Sequence, residues 1–183
     1  MIRTLRLSST VAALVLGGVA FAANPDVGGA PMFADKNIVE NAVNSADHTT
    51  LVAAVKAAGL VDALMSDGPF TVFAPVNDAF AALPSGTVET LLKPENKGTL
   101  TKVLTAHVVA GKLSGPELMS KARASADGFF HLDTLSGDAL SAQVKSGTLY
   151  IYDESGNAGR VTIADVNQSN GVIHVVDTVL LPK

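Results

Sequence analysis

The sequence predicts an α+β fold, and three observations lead to that prediction. Apolar residues recur at helical spacing through most of the first half of the chain, whereas they alternate with polar residues through most of the second half. Helices early and strands late are typical of an α+β domain rather than of an alternating α/β domain. The 183 residues are 48% apolar and 16% charged, which is too apolar for a disordered chain and sufficient for one hydrophobic core.

The first 22 residues have the pattern of a secretory signal peptide. Arg3 and Arg6 precede an uncharged apolar stretch, and Ala20-Phe21-Ala22 fits the small-x-small motif of a cleavage site. The apolar stretch is shorter than the ~20 residues that span a bilayer, and no Cys follows it for lipid attachment. We therefore expect a chain exported by a bacterial route to the periplasm or the medium, with no membrane span after cleavage.

The organisation expected for the exported chain is a short lead followed by one domain. Residues 23–34 contain two Pro and two Gly and are predicted to be flexible, and residues 35–183 carry no internal repeat and no second linker. Cleavage leaves 11 basic and 17 acidic side chains, a net charge of −6, without a cluster of Lys or Arg. This charge excludes nucleic acid and anionic lipid as favoured partners.

Helices are predicted wherever apolar side chains recur at helical spacing between capping or helix-breaking residues. Asp47 is a candidate N-cap for the second helix and Gly59 ends it, Gly68-Pro69 stops the third, and Pro94 opens the fifth. The predicted helices span residues 38–43, 48–58, 60–65, 79–83, 94–107 and 116–123.

Strands are predicted where β-branched or aromatic residues form short runs or alternate with polar residues. The predicted strands span residues 70–74, 130–134, 140–144, 148–152, 161–165 and 171–181. The last of these is rich in Val and Ile, which is typical of a central strand buried on both faces.

No pattern in the sequence predicts catalysis, a metal site or a cofactor. The G-x-S-x-G, P-loop, G-x-G-x-x-G and H-E-x-x-H motifs are absent, there is no Cys, and the four His residues show no short ligand spacing. His107 lies on an apolar helix face and His174 lies within an apolar strand, so both are interpreted as hydrogen-bonded core residues. We therefore expect a protein that is not an enzyme.

Several long motifs resemble the fasciclin family. Residues 68–80 (GPFTVFAPVNDAF) are similar to its first signature block and residues 170–182 (NGVIHVVDTVLLP) to its second. Residues 92–104, His107-Val108-Val109 and residues 132–137 occupy the family's intermediate positions, so the resemblance covers residues 36–182. It implies a β-wedge of two sheets with helices packed along it. It also implies a secreted or surface module in cell adhesion and matrix interaction, without known catalysis.

Most residues of these motifs are interpreted as requirements of folding. Asn77 or Asp78 is expected to cap the helix that follows, and Asn170-Gly171 is expected to form a turn that uses positive φ. The predicted structural residues are Thr71, Asn77, Asp78, His107, Gly171, His174 and Asp177.

The candidate partner-binding residues come from the resemblance. The family's integrin-linked Tyr-His pair corresponds here to Ala106-His107, which lacks the Tyr. A second integrin-linked stretch corresponds to Asp165-Val166-Asn167, in which Asp165 matches, Val166 is conservative and Asn167 departs. With the adjoining turn, the candidate partner-binding residues are Asp165, Val166, Asn167 and Asn170.

The function expected is non-catalytic adhesion or interaction at the cell envelope or in the extracellular matrix. Its partner would be a cell-surface or matrix protein or a glycan. A soluble periplasmic module that binds a small molecule or a glycan is the alternative, and it predicts a deep pocket with convergent polar groups. An unrecognised hydrolase is less favoured and predicts clustered titratable groups with shifted pKa values.

Overall fold

The computed structural model describes residues 24–183, so the predicted signal peptide and its cleavage site lie outside the described residues. Residues 24–34 differ from the flexible lead that the sequence predicts. They form a hairpin of two short strands, β1 (Asp26–Val27) and β2 (Ala30–Pro31). Val27 and Met32 are buried against Ile38, so two apolar side chains anchor this segment to the domain.

Helices occupy the positions that periodicity predicts, with one addition. Asn37 and Glu40 form a capping box at the start of the first helix, and Gly59 ends the second in a left-handed conformation. Thr87–Leu91 is the helix that the sequence did not predict. The helices are α1 (Ile38–Ala42), α2 (Thr49–Ala58), α3 (Val61–Met65), α4 (Asn77–Ala81), α5 (Thr87–Leu91), α6 (Lys97–Thr105) and α7 (Gly115–Ala124), with 3₁₀ turns at Ala46–His48 and Pro94–Asn96. None of the helices within residues 24–183 has the length and hydrophobicity that a membrane crossing requires.

The remaining strands form one mixed sheet in the order β4-β3-β9-β8-β7-β6-β5. They are β3 (Phe70–Pro75), β4 (Val108–Ala110), β5 (Phe129–Asp133), β6 (Ala139–Lys145), β7 (Thr148–Tyr152), β8 (Ala158–Gln168) and β9 (Gly171–Val176). From β5 to β9, each strand pairs antiparallel with the next strand along the chain, and β9 also pairs with β3 in parallel orientation. A bridge from Val109 to Thr134 joins the two edges, so the sheet curls into a near-barrel wedge. The α+β prediction is confirmed.

β3 and β9 are neighbouring interior strands of the sheet, and both of their faces are buried. Phe73 and Val176 face a core formed by the β5–β7 meander and α7. Val72 and Ile173 face a second core beneath α1 and the hairpin. All six residues of β9 are buried, which agrees with the burial on both faces that its composition predicts, and β9 lies inside the sheet, third from one edge. The strand ends at Val176, earlier than predicted.

Candidate binding sites

The last part of β8 and the turn after it hold the four candidate partner-binding residues, and two of them are buried. Val166 has no exposed surface and packs in the core beneath α1. The Asn170 Oδ1 accepts a hydrogen bond from the Ile38 N–H at 3.1 Å. Its Nδ2 donates to the carbonyls of Leu64 and Ser66, each at 2.8 Å. Asn170 therefore joins α1 and the end of α3 to the start of β9.

Asp165 and Asn167 are half-buried and keep some surface in contact with solvent. Asp165 lies at an irregularity of β8 with φ of 59°, and its Oδ1 accepts the Gly115 N–H at 2.8 Å, in the first turn of α7. A carboxylate at this end of a helix satisfies a free N–H and is favoured by the helix dipole. The Asn167 N–H donates to Asn24 Oδ1 at 3.1 Å, and Asn24 Nδ2 donates to the Asn167 carbonyl at 2.6 Å. Partner binding by these two residues stays a prediction.

His174 lies fully inside the domain, and both of its ring nitrogens have partners. Nε2 donates to the Leu113 carbonyl at 2.8 Å, and Nδ1 accepts the Asp165 N–H at 3.3 Å. One contact requires a donor and the other an acceptor, so the ring is neutral. Burial lowers the pKa of His174, and its ring stacks on Phe73 with 5.7 Å between centroids. These contacts assign His174 to the core.

Thr71 and Gly171 lie at the same end of the β3–β9 pairing and have different structural tasks. The Thr71 hydroxyl donates to the Gly111 carbonyl at 2.7 Å and accepts the Leu113 N–H at 2.9 Å, so it holds the loop after β4. The expected turn forms at residues 169–170, but Gly171 does not adopt the positive φ that was expected of it. A Cβ at Gly171 would lie 2.1 Å from the Phe70 carbonyl oxygen, so close backbone approach is what requires glycine.

His107 connects the end of α6 to the C-terminal segment. Its Nδ1 donates to the Val103 carbonyl at 2.8 Å, and its Nε2 accepts the Leu180 N–H at 2.9 Å. Burial lowers the pKa of His107 to about 4, although the Val103 carbonyl and Asp153 act in the opposite direction. The side chain is thus a neutral ring with both nitrogens satisfied inside the protein.

Asn77 caps a different helix from the one predicted. Its Oδ1 accepts the Thr50 N–H at 3.0 Å at the start of α2, and its Nδ2 donates to the Ala46 carbonyl at 2.8 Å. α4, which begins at Asn77, has no side-chain cap, so the expectation that Asn77 or Asp78 caps it is wrong. Asp78 is exposed in the first turn of α4. Asp47 does not cap α2 either, because a 3₁₀ turn occupies Ala46–His48.

Two carboxylates hold the chain after β9. The Asp177 Oδ1 accepts the Arg160 N–H at 2.8 Å, and its Oδ2 pairs with the Arg160 Nε at 3.3 Å. Asp153, which the sequence did not single out, is buried and accepts the Leu181 N–H at 2.9 Å and the Asn157 N–H at 2.9 Å. The sequence signal near Asp153 is the turn that Ser155, Gly156 and Asn157 form after β7, and it does not indicate that Asp153 would be buried.

The arrangement nearest to a hydrolytic site is Asp127, His131 and Ser141. His131 Nδ1 lies 2.9 Å from the Ser141 Oγ, and its Nε2 lies 3.2 Å from Asp127 Oδ2. Hydrogen bonds from the Ser125 hydroxyl and then the Phe129 N–H lower the pKa of Asp127 to about 2. The side chains of His131 and Asp127 are 64% and 54% exposed, so water screens the group and no enclosed site supports it. His131 and Ser141 are direct cross-strand partners, which makes this a pairing on the sheet surface.

A cavity of about 270 Å³ lies between the helices and the sheet, and no sequence pattern predicted it. Its walls come from α1, α2 and α3 on one side and from β3, β4 and β9 on the other. The alternative function requires a deep pocket with convergent polar groups, whereas this cavity is mostly apolar. Ser45 and His48 are the buried polar side chains in its lining besides His107. Within residues 24–183, no group of three or more His, Asp or Glu side chains is placed to hold a metal ion.

Comparisons with known proteins identify the family. A model of the fasciclin domain matches residues 46–182. Protein sll1483 of Synechocystis sp. is 54% identical over 145 residues, which cover 79% of this chain and 73% of that protein. The chain is 37% identical over 132 residues to transforming growth factor-beta-induced protein ig-h3 of Sus scrofa, covering 72% of this chain and 17% of that protein.

The fold is also similar to part of a solved structure, a FAS1 domain pair from the insect cell adhesion molecule fasciclin I. The TM-score is 0.71 at 19% sequence identity, and the match covers 80% of this chain and 51% of the other. At this identity the match establishes the fold alone, while the family model and the relatives above establish kinship. The motifs that resembled the fasciclin family are thereby confirmed, and the chain belongs to the fasciclin domain family.

Proposed function

We propose that the chain, once exported, acts as a non-catalytic interaction module in adhesion at the cell envelope or in the surrounding matrix. Fasciclin domains are generally interaction modules. The observation that carries the proposal is membership of the fasciclin domain family, whose model matches residues 46–182. Arg3, Arg6 and the Ala20-Phe21-Ala22 motif support export to the periplasm or the medium.

We infer that a partner protein or glycan contacts the outer surface of β8 at Asp165 and Asn167. Val166 and Asn170 are buried, so they can serve binding only by holding this segment in place. His174 holds the Asp165 backbone and the Gly115 N–H holds the Asp165 carboxylate. The exposed part of Asp165 is therefore presented in one orientation. A preformed contact loses little conformational entropy when a partner binds.

Contacts of this small size bind weakly as single copies and gain strength when many copies are displayed together. The test therefore uses beads coated with the exported chain and scored for attachment to cells and to extracellular matrix. Asn167→Ala removes a side chain whose Nδ2 donates to the Asp165 carbonyl. Asn96→Ala is the matched control, since Asn96 is also half-buried and its Nδ2 donates to one backbone carbonyl, that of Thr90.

Asp165→Asn is the second test variant, because an amide oxygen can still accept the Gly115 N–H while the charge is lost. We expect wild-type and Asn96→Ala beads to attach and the two site variants to attach several-fold less. Equal attachment of all four would discard the β8 surface but keep the adhesive function. Attachment no greater than that of beads coated with an inert protein would overturn the adhesive function itself.

A further inference from the structure

The apolar cavity is large for a domain of this size. Protein interiors are close-packed, and an apolar cavity of roughly 150 Å³ already stays free of water and binds small apolar molecules. This cavity measures about 270 Å³, which equals the liquid volume of roughly nine water molecules at ~30 Å³ each, so it has room for a ligand of about that many non-hydrogen atoms. Representative side chains of its lining are Ile38, Val52, Leu64, Val72, Val108 and Ile173.

The cavity reaches the surface beside α2 and α3. Lys56, Ala63 and Leu135 line it and are themselves exposed, Leu135 by 49%. Two further apolar side chains, Val43 after α1 and Met65 at the end of α3, are 48% and 44% exposed. This surface offers an apolar molecule a path into the cavity.

His48 supplies the unsatisfied polar atom in the lining. Its Nδ1 lies 2.9 Å from the Ser45 Oγ, and the residue is only 3% exposed. Its Nε2 is buried, and no described residue stands in hydrogen-bonding geometry to it. Burial lowers the pKa of His48, while the neighbouring Ala74 backbone and the charge of Asp47 act in the opposite direction. A buried donor or acceptor without a partner is costly, so a bound group that satisfies it gains affinity.

We propose that the cavity binds an uncharged apolar molecule of roughly nine non-hydrogen atoms whose single hydroxyl group hydrogen-bonds to His48 Nε2. A hydroxyl both donates and accepts, so it suits either neutral tautomer of the ring. An ionised group would lose its hydration in this apolar space without an opposite charge beside it. The cationic side chain in the lining, Lys56, is exposed at the rim. The cavity reaches the surface beside α2 and α3, and it shares only the buried Val166 with the segment of β8 that carries the proposed adhesive surface.

The test compares three probes of nearly equal size: 1-octanol, 1-fluorooctane and octanoate. Binding to the exported chain is followed by amide chemical shifts in two-dimensional NMR, and His48 is followed through its ring ¹⁵N resonances. Ala42→Phe fills the cavity from α1, and Ala53→Phe is its control, since Ala53 is exposed on α2 and outside the lining. His48→Phe keeps an aromatic ring and removes both ring nitrogens, the Nδ1 beside Ser45 as well as Nε2.

We expect 1-octanol to saturate at the cavity residues, to shift the His48 Nε2 resonance, and to bind about tenfold more tightly than 1-fluorooctane. Ala42→Phe should abolish binding, Ala53→Phe should leave it unchanged, and His48→Phe should remove the preference for 1-octanol. Equal binding of the two neutral probes, with an unmoved Nε2 resonance, would overturn the His48 contact whether or not His48→Phe folds. Tighter binding of octanoate, lost in Lys56→Ala, would place the polar group at the rim and overturn the proposal. Unchanged binding in Ala42→Phe would overturn the site.

Discussion

Protonation of His107 should make the domain acid-labile, and the structure sets the size of the effect. The ring is neutral when folded because Nδ1 donates to Val103 and Nε2 accepts from Leu180. Its pKa falls from the ordinary 6.5 to about 4 on folding. The unfolded chain therefore binds more protons between these two values, and the free energy of unfolding rises with pH across that window.

The magnitude follows from the two pKa values. Above pH 6.5 His107 is neutral in both the folded and the unfolded chain, so its protonation does not lower the free energy of unfolding. Each pKa unit between the two states corresponds to about 1.4 kcal/mol. Between pH 7 and pH 4 the loss assigned to His107 is then about 3 kcal/mol. A domain of this size has a total stability of ~5–15 kcal/mol, so the loss is measurable without complete unfolding.

The assay is urea denaturation of wild type and His107→Gln at several pH values from 7 to 4. The Gln amide can donate to the Val103 carbonyl and accept the Leu180 N–H, and it does not titrate. Both proteins carry the same carboxylates and the same His48 and His174, so the difference between their pH profiles isolates His107. Wild type should lose about 3 kcal/mol more than the variant over this range. Parallel profiles would refute the reasoning, because they would mean that His107 has the same pKa in both states.

Three further outcomes test the fold and the export signal. Gly171→Ala should lower the free energy of unfolding by ~1–3 kcal/mol, because the added Cβ would collide with the Phe70 backbone. Gly98→Ala should raise it by up to ~1 kcal/mol, because Gly98 lies on α6 with open space around it and Ala favours the helix. Urea melts of both variants decide this, and equal effects would contradict it. Asn77→Ala should lower the free energy of unfolding by ~1 kcal/mol through loss of the α2 cap, while Asp78→Ala should change it by no more than ~0.5 kcal/mol. A larger loss for Asp78→Ala than for Asn77→Ala in thermal melts would show that Asn77 is not the cap. N-terminal sequencing of protein from the periplasm or medium should read from residue 23 or 24, and an intact Met1 in the membrane fraction would contradict the signal peptide.

Element types were predictable where the local pattern had one interpretation. The period of two from β5 to β9 and the helical spacing of α1 to α3 each correspond to an observed element. β4 was missed because Val108 and Val109 continue the apolar pattern of α6, and only pairing with Thr71 and Val72 of β3 makes them a strand. α5 was missed because Thr87–Leu91 offers little periodicity in five residues.

Side-chain roles were less predictable than element types. A capping residue such as Asn77 looks local in sequence, yet its partners lie 27 and 31 residues away, because α2 and α4 meet in the folded chain. Gly171 is glycine for a reason that the sequence cannot display, namely the nearness of Phe70 on the adjacent parallel strand. Asp165 and Asn167 make contacts inside the domain and also keep some exposed surface. Their binding role therefore stays a prediction.

The sequence by itself determined the α+β class, the family, the export prediction and which strand is buried on both faces, because hydrophobic period, motif order and composition are written along the chain. The tertiary structure alone decided that Val166 and Asn170 are buried, that Asn77 caps α2, and that a cavity with an unsatisfied His48 lies beneath α1–α3. The physical reason is that caps, close approaches and cavities depend on distances between elements far apart in sequence. Those distances exist only after side chains from several helices and strands have packed together.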